Sequence, residues 1–251
     1  MAERKTIVAF LNEYLNIDAI QDVSCNGLQV QGVADVARVG LAVDASMSIY
    51  HKAADLDCQL LLVHHGIVWG GIKTITGPVY HHLRFLIEHG INLYAVHLPL
   101  DLHPEAGNNI CLARLLQLRD VEPFGAYKGI DIGFAGVLPE PATLEQISGR
   151  LSDNLGGAVR CLPFGRELNT KLGIVSGDGS DCIPDAINRG IDCVITGESQ
   201  HSNHHMALEG AINVVYCGHY ESEQLGVKEV GKILAERFGV VVEFIDEPTL
   251  V

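Results

Sequence analysis

Three short stretches place imidazole or carboxylate side chains where apolar runs stop. "LLVHHG" ends a hydrophobic run with His64 and His65 and follows them with Gly66. "YAVHLPLD" sets His97 after a second such run, with Asp101 close behind, and "CGHYESE" sets His219 four positions before Glu223. Taken singly, each has an ordinary structural account: two polar residues in a loop, a turn or capping aspartate, an (i, i+4) pair on a helix surface. Taken together, four imidazoles and two carboxylates are the nitrogen and oxygen donors that Zn, Fe, Mn or Ni accept. Adjacent histidines suit two neighbouring ions, one ring each, and the two oxygens of Asp101 can bridge a pair of cations.

Two divalent ions bring four positive charges, of which Asp101 and Glu223 cancel two. The remainder favours hydroxide or an anionic ligand, and paired metals lower the pKa of bound water and polarise the group it attacks. The leading reading is therefore a metal-dependent hydrolase of a small anionic or nucleotide-like substrate. The alternative is a non-enzymatic protein that stores, inserts or senses metal through the same ligands. No separate catalytic acid or base stands out, so the catalytic residues are left unassigned.

The elements that must position these residues alternate between strand and helix. "VARVGLAVD" reads as a strand running into a helix from about Ser46, "CQLLLV" as the next strand, Pro78 as the first turn of a helix that Gly90 closes, and "INLYAV" as a strand again. Successive strand residues point to opposite faces, so His64 and His65 are expected to share a site only if the strand stops there and both rings project from its rim. A helix is predicted near 108–117, and "EPFGAYKGID" (122–131), rich in Gly and turn formers, is the expected boundary between two lobes, 1–125 and 126–251. Beyond it, Thr143 and Gln146 spell a capping box, further strands are "AVRCL", "KLGIVS", "CVIT" and "INVVYC", and a last helix covers about 222–238 before "VVVEFID". The fold class is α/β with mixed sheets.

The halves echo each other. "LDCQLLLV" resembles "IDCVIT", and "HHLRFLIEHGINLYAV" resembles "HHMALEGAINVVYC", so His97 with Asp101 and His219 with Glu223 would leave the ends of equivalent strands. Two lobes facing a shared cleft is the arrangement this implies. The shared hydrophobic grammar of α/β units is the competing account. "SGDGSD" (176–181) could offer backbone N–H groups to an anion or be a plain tight turn; it lacks the Gly-Lys-Ser/Thr ending of a P-loop. His201, His204 and His205 fit a partly exposed helix face.

Composition excludes some classes. The chain has 251 residues, 47% of them hydrophobic, and a formal net charge of -14. That charge repels a phosphate backbone, so nucleic acid is a poor partner. No apolar stretch approaches the roughly 18–20 residues that span a bilayer, and residues 1–15 read as an amphipathic helix rather than a leader, which points to a cytoplasmic protein with no membrane partner. Seven cysteines without a CxxC pair read as reduced, buried thiols.

"LLVHHG", "YAVHLPLD", "GDGSD", "VITGE" and "CGHYESE" resemble, in order and spacing, the signature blocks of the Nif-three-like proteins, the GTP cyclohydrolase I type 2 homologues. The likeness runs from about residue 5 to the C-terminus. It implies a two-lobed α/β subunit, two divalent metal ions in the cleft, a homohexamer, and metal ligands at His64, His65, Asp101, His219 and Glu223, with Asp101 bridging. His97 matches a family histidine beside the site and is expected to orient Asp101 or a water. The family's name suggests opening of the guanine ring of GTP, but fold does not fix reaction. "GIVWGG" stands where many members carry a proline, which touches the wall around Trp69, and the extra domain of longer relatives is absent.

Overall fold

The computed structural model describes every residue except Ala19, Leu250 and Val251. Along the chain, strand β1 (Ala2–Glu3) leads into helix α1 (Arg4–Tyr14), strands β2 (Gly27–Val30), β3 (Asp35–Val36) and β4 (Arg38–Asp44), helix α2 (Met47–Asp55), strand β5 (Leu60–His65), helix α3 (Gly77–Glu88) and strand β6 (Asn92–Ala95). There follow helices α4 (Leu98–Asp101) and α5 (Asn108–Leu115), strands β7 (Arg119–Tyr127) and β8 (Ile130–Ala142), helix α6 (Leu144–Leu155), and strands β9 (Arg160–Pro163) and β10 (Asn169–Ile174). Helix α7 (Ile183–Asn188), strand β11 (Cys193–Thr196), helix α8 (His201–Glu209), strand β12 (Asn213–Tyr216), helix α9 (His219–Phe238) and strand β13 (Val241–Phe244) complete it.

The chain divides into two compact units, Met1–Leu100 with Val227–Glu247, and Asp101–Gly226 with Pro248–Val251. The segment 122–131 does not separate them. It forms the facing ends of the antiparallel strands β7 and β8, with Gly125 and Gly129 at positive φ, so its turn-forming residues serve a hairpin.

The first unit is built on a five-stranded sheet of order β13-β4-β5-β6-β2, parallel except for β2. Buried β5 reads as a near-continuous apolar run, as a parallel strand covered on both faces must. Its core gathers Leu61, Val63, Leu93 and Ala95 with Ile49, Tyr50 and Leu86 from α2 and α3. Ser46 caps α2 by accepting from the Ile49 N–H, as the strand-to-helix reading requires.

The second unit is built on a six-stranded sheet of order β7-β8-β10-β11-β12-β9, with β10, β11 and β12 parallel. One core cluster sets Leu112, Ile147 and Leu151 of α5 and α6 against Leu172, Ile195 and Val215, and another sets Ile183, Ala186 and Ala207 of α7 and α8 against Val194 and Val214. The Thr143–Gln146 capping box is formed, and Gly156 ends α6 in the left-handed conformation. Cys58, Cys182, Cys193 and Cys217 are buried free thiols, but Cys25 is exposed, because it lies in the loop before β2 rather than in a core element. No helix among the described residues is long and apolar enough to cross a membrane.

Candidate metal centre

In the first unit β5 takes in both His64 and His65, two residues past the predicted "CQLLLV", and ends before Gly66 as expected. Their rings are nevertheless close, with centroids 4.7 Å apart. The neighbouring strands decide how each ring is held. His64 is fully buried, and its Nδ1 meets the Val96 carbonyl just beyond β6 at 2.8 Å. His65 stands opposite Asp44 across the parallel β4–β5 pair, and its Nδ1 meets Asp44 Oδ1 at 2.8 Å. Gly66 comes next because a Cβ there would overlap the Gln29 amide and the Ala95 side chain. That amide is in use: Gln29 Oε1 accepts from the N–H groups of Ile67 and Val68 and turns the chain out of the strand.

His97 joins them. Donor atoms of His64, His65 and His97 lie within 4.8 Å of one another. The carboxylate beside His97 is Asp22, whose two oxygens stand 3.0 and 3.1 Å from Nδ1. Asp22 also accepts from the N–H groups of Ser24 and Leu98 and from Asn26 Nδ2. Burial alone would raise its pKa, but the hydrogen bond and charge of His97, with the bonds from Asn26 and Ser24, bring it down to about 2. In all three rings Nδ1 faces a carbonyl or carboxylate acceptor, so Nδ1 carries the proton and the Nε2 lone pair is the one presented to a metal. Trp69 stands edge-on to His97 with centroids 5.1 Å apart, and its Nε1–H donates to the Gly66 carbonyl. It walls this end of the unit with an aromatic face.

In the second unit the donors are mainly carboxylates. Asp101, at the end of α4, is buried, and its Oδ1 accepts from Asn108 Nδ2 at 2.9 Å and Ser176 Oγ at 3.0 Å. One of its oxygens lies within 4.8 Å of an oxygen of Glu223. Helix α9 begins at His219, earlier than the sequence suggested, so His219 and Glu223 share one helix face and meet at 3.0 Å. His219 Nδ1 also meets Glu198 Oε1 at 2.6 Å. Burial would lower the pKa of His219; the hydrogen bonds and charges of Glu223 and Glu198 outweigh it and raise it to about 9. Gly177, at φ +60°, lets the backbone pass where a Cβ would collide with the Glu223 carboxylate.

In the "SGDGSD" turn three of the backbone amides are already taken by side chains. The N–H of Ser176 donates to Asn109 Oδ1, that of Gly177 to Ser222 Oγ and that of Gly179 to Thr196 Oγ1, so the segment is a turn tied down by side chains. His201, His204 and His205 lie on α8 and are exposed; His204 stacks edge-on with Phe164. The residues that sequence reasoning missed are the acceptors behind the imidazoles, Asp22, Asp44 and Glu198. Asp44 and Glu198 each stand at or just past the carboxyl end of a parallel strand, which was a legible signal; Asp22 reaches His97 through tertiary structure alone.

The donor set fits a divalent transition metal: oriented imidazoles in one unit, and in the other the buried carboxylates Asp101, held by Asn108 and Ser176, and Glu223, beside His219. Comparison with known proteins agrees with the sequence resemblance. The family model Duf34/NIF3 (NGG1p interacting factor 3) matches residues 2–249. A protein of Pyrococcus horikoshii named GTP cyclohydrolase 1 type 2 homolog is 45% identical over 248 residues, covering 98% of this chain and 99% of its own length. One of the same name from Archaeoglobus fulgidus is 43% identical over 243 residues, covering 97% of each. A crystal structure from Thermus thermophilus superposes with a TM-score of 0.93 at 39% identity, covering 100% of both chains. Reduced HcgD from Methanocaldococcus jannaschii gives 0.86 at 26% identity, covering 98% of both.

Proposed function

The chain belongs to the Duf34/NIF3 family, and on that premise we propose that it binds two divalent metal ions through His64, His65, Asp101, His219 and Glu223, and uses them to hydrolyse a small anionic substrate. The observation that carries the reading is the common orientation of the histidines in the first unit, where the Nδ1 of His64, His65 and His97 faces the Val96 carbonyl, Asp44 and Asp22 respectively. A core histidine needs only some partner. Three neighbouring rings, each held at Nδ1 by an acceptor and with donor atoms within 4.8 Å of one another, are arranged as ligands.

When bound, paired divalent ions supply Lewis acidity and a nucleophilic water at neutral pH. The protein's own residues do the positioning. Asp44 and the Val96 carbonyl fix the tautomer and tilt of His65 and His64. Ser176 and Asn108 donate to one oxygen of Asp101, which fixes the direction of the other. Glu198 takes the Nδ1 side of His219 and turns Nε2 toward Glu223. His97, held by Asp22 and flanked by Trp69, stands beside the ligands as a group able to hold or move a proton at Nε2.

The test is elemental analysis of protein purified without chelator, alongside His65→Ala and Asp101→Asn, followed by a screen of phosphoesters, nucleotides and GTP. About two ions per chain, lost from both variants, and turnover that disappears with them support the reading. Wild-type protein that takes up no Mn, Fe, Ni or Zn on dialysis overturns it. Metal bound tightly with no turnover across the panel assigns the same ligands to storage, insertion or sensing.

A further inference from the structure

Within the second unit, a pocket of about 260 Å³ opens at the carboxyl ends of β11 and β12, lined among others by Arg160, Gly197, Glu198, Ser199, Tyr216 and Gly218. The carboxyl ends of parallel strands are where open α/β sheets bind ligands. The volume lies just below the roughly 300–1,000 Å³ of ordinary ligand pockets, so it suits a small metabolite. Three features show what kind. Arg160 and Tyr216 are directly opposed across the antiparallel β9–β12 pair, so both side chains leave the same face of the sheet. No acidic side chain among the described residues pairs with the Arg160 guanidinium. The Tyr216 hydroxyl is buried without a hydrogen-bond partner, although the residue as a whole is only 6% exposed.

A buried hydroxyl without a partner costs on the order of 1–3 kcal/mol, and the Arg160 guanidinium, exposed at the pocket, is open to an anionic group. Both donors are satisfied by one acceptor-rich group. Guanidinium groups recognise planar or tetrahedral oxyanions through parallel N–H···O bonds, and the exposed Ser199 hydroxyl stands at the same pocket. The pocket is also lined by Glu198, whose Oε1 meets His219 Nδ1.

We propose that this pocket binds the oxyanion head, phosphate ester or carboxylate, of a small metabolite, with Arg160 as the charge partner and Tyr216 as a second donor. The body of the ligand then extends along Glu198 toward His219. That direction, and so the identification of the ligand as the substrate, rests on the proposed metal-dependent function; the oxyanion site itself does not.

The experiment is calorimetry on the full-length chain as purified and again after chelation, with phenyl phosphate and benzoate as separate probes. Wild-type protein is compared with Arg160→Gln, Tyr216→Phe and a charge control, Arg150→Gln, on the exposed face of α6. Binding in both metal states, weakened at least about tenfold by Arg160→Gln, weakened less by Tyr216→Phe and untouched by Arg150→Gln, is the expected result. The tighter probe names the head group. Binding that vanishes on chelation and is unchanged in Arg160→Gln would mean that the anion sits on metal, and the site is then rejected, as it is if neither probe binds. Metal content of Arg160→Gln, expected to equal wild type, separates the two readings: oxyanion binding without metal uptake leaves this site standing and removes the function proposed above.

Discussion

Two β-α-β segments, β5-α3-β6 in one unit and β11-α8-β12 in the other, share topology and differ in the residues at and just past their strand ends. Both pair their strands in parallel, and both continue past the second strand into a histidine, His97 or His219. In the first, imidazoles predominate and each is backed by an acceptor. In the second, carboxylates predominate: Glu198, just past β11, and Glu223, on the helix after β12, both meet His219. The frame fixes where strand ends lie. The residues at those ends decide whether a site offers mainly nitrogen or mainly carboxylate oxygen.

If the frames are equivalent, fully buried residues at matching depths have equal weight. Leu62→Ala in β5 and Ile195→Ala in β11, both completely buried, are each expected to lower stability by about 2–5 kcal/mol. Urea denaturation followed by circular dichroism checks this, and a loss under about 1 kcal/mol at either position breaks the equivalence. A smaller effect is expected where the two sites differ. Asp44→Asn removes the charge behind His65 and should weaken metal affinity about 10–100-fold, roughly 1.4–2.7 kcal/mol, in a competition titration against a chromophoric chelator. Ser176→Ala takes one of the two donors from Asp101 Oδ1 and should cost less.

Acid titration probes the first unit alone. Asp22 is brought down to about 2 from 3.8 on folding. A depressed folded pKa contributes stability above the unfolded value and loses it as pH falls through the folded one, so the contribution is complete above about pH 4 and gone below about pH 2. Melting temperatures of chelated protein between those limits should fall more steeply for wild type than for Asp22→Asn, by an amount on the order of 1–2 kcal/mol. Parallel curves would remove Asp22 from the account. The smallest change belongs to a position away from both sites: Thr143→Ala breaks the α6 capping box, should cost about 1 kcal/mol, and should leave metal content as it was.

Much of this was legible before the structure. The strand ends bearing His64, His65, His97 and Asp101 were marked by abrupt changes from apolar to ionisable residues, and Ser46, Pro78, Gly90 and Thr143 punctuate the helices where local chemistry says they should. What escaped reading depends on neighbours in space. That Asp44 on β4 stands opposite His65 is set by strand pairing, which no local pattern reveals. The turn-rich 122–131 segment folds into paired strands because β8 stands beside it. His97 was expected to serve Asp101 or a water; the carboxylate it meets is Asp22, a loop residue remote in sequence.

The sheet of the first unit borrows its last edge from the far end of the chain, since β13 pairs with β4. A ribosome delivers β4 about 200 residues before β13. During synthesis, then, β4 waits with a row of unsatisfied peptide groups along one side, the kind of template that recruits stray strands. A nascent chain stalled anywhere before residue 241 carries that exposed margin, and its solubility, unlike that of the finished protein, depends on what chaperones shield it.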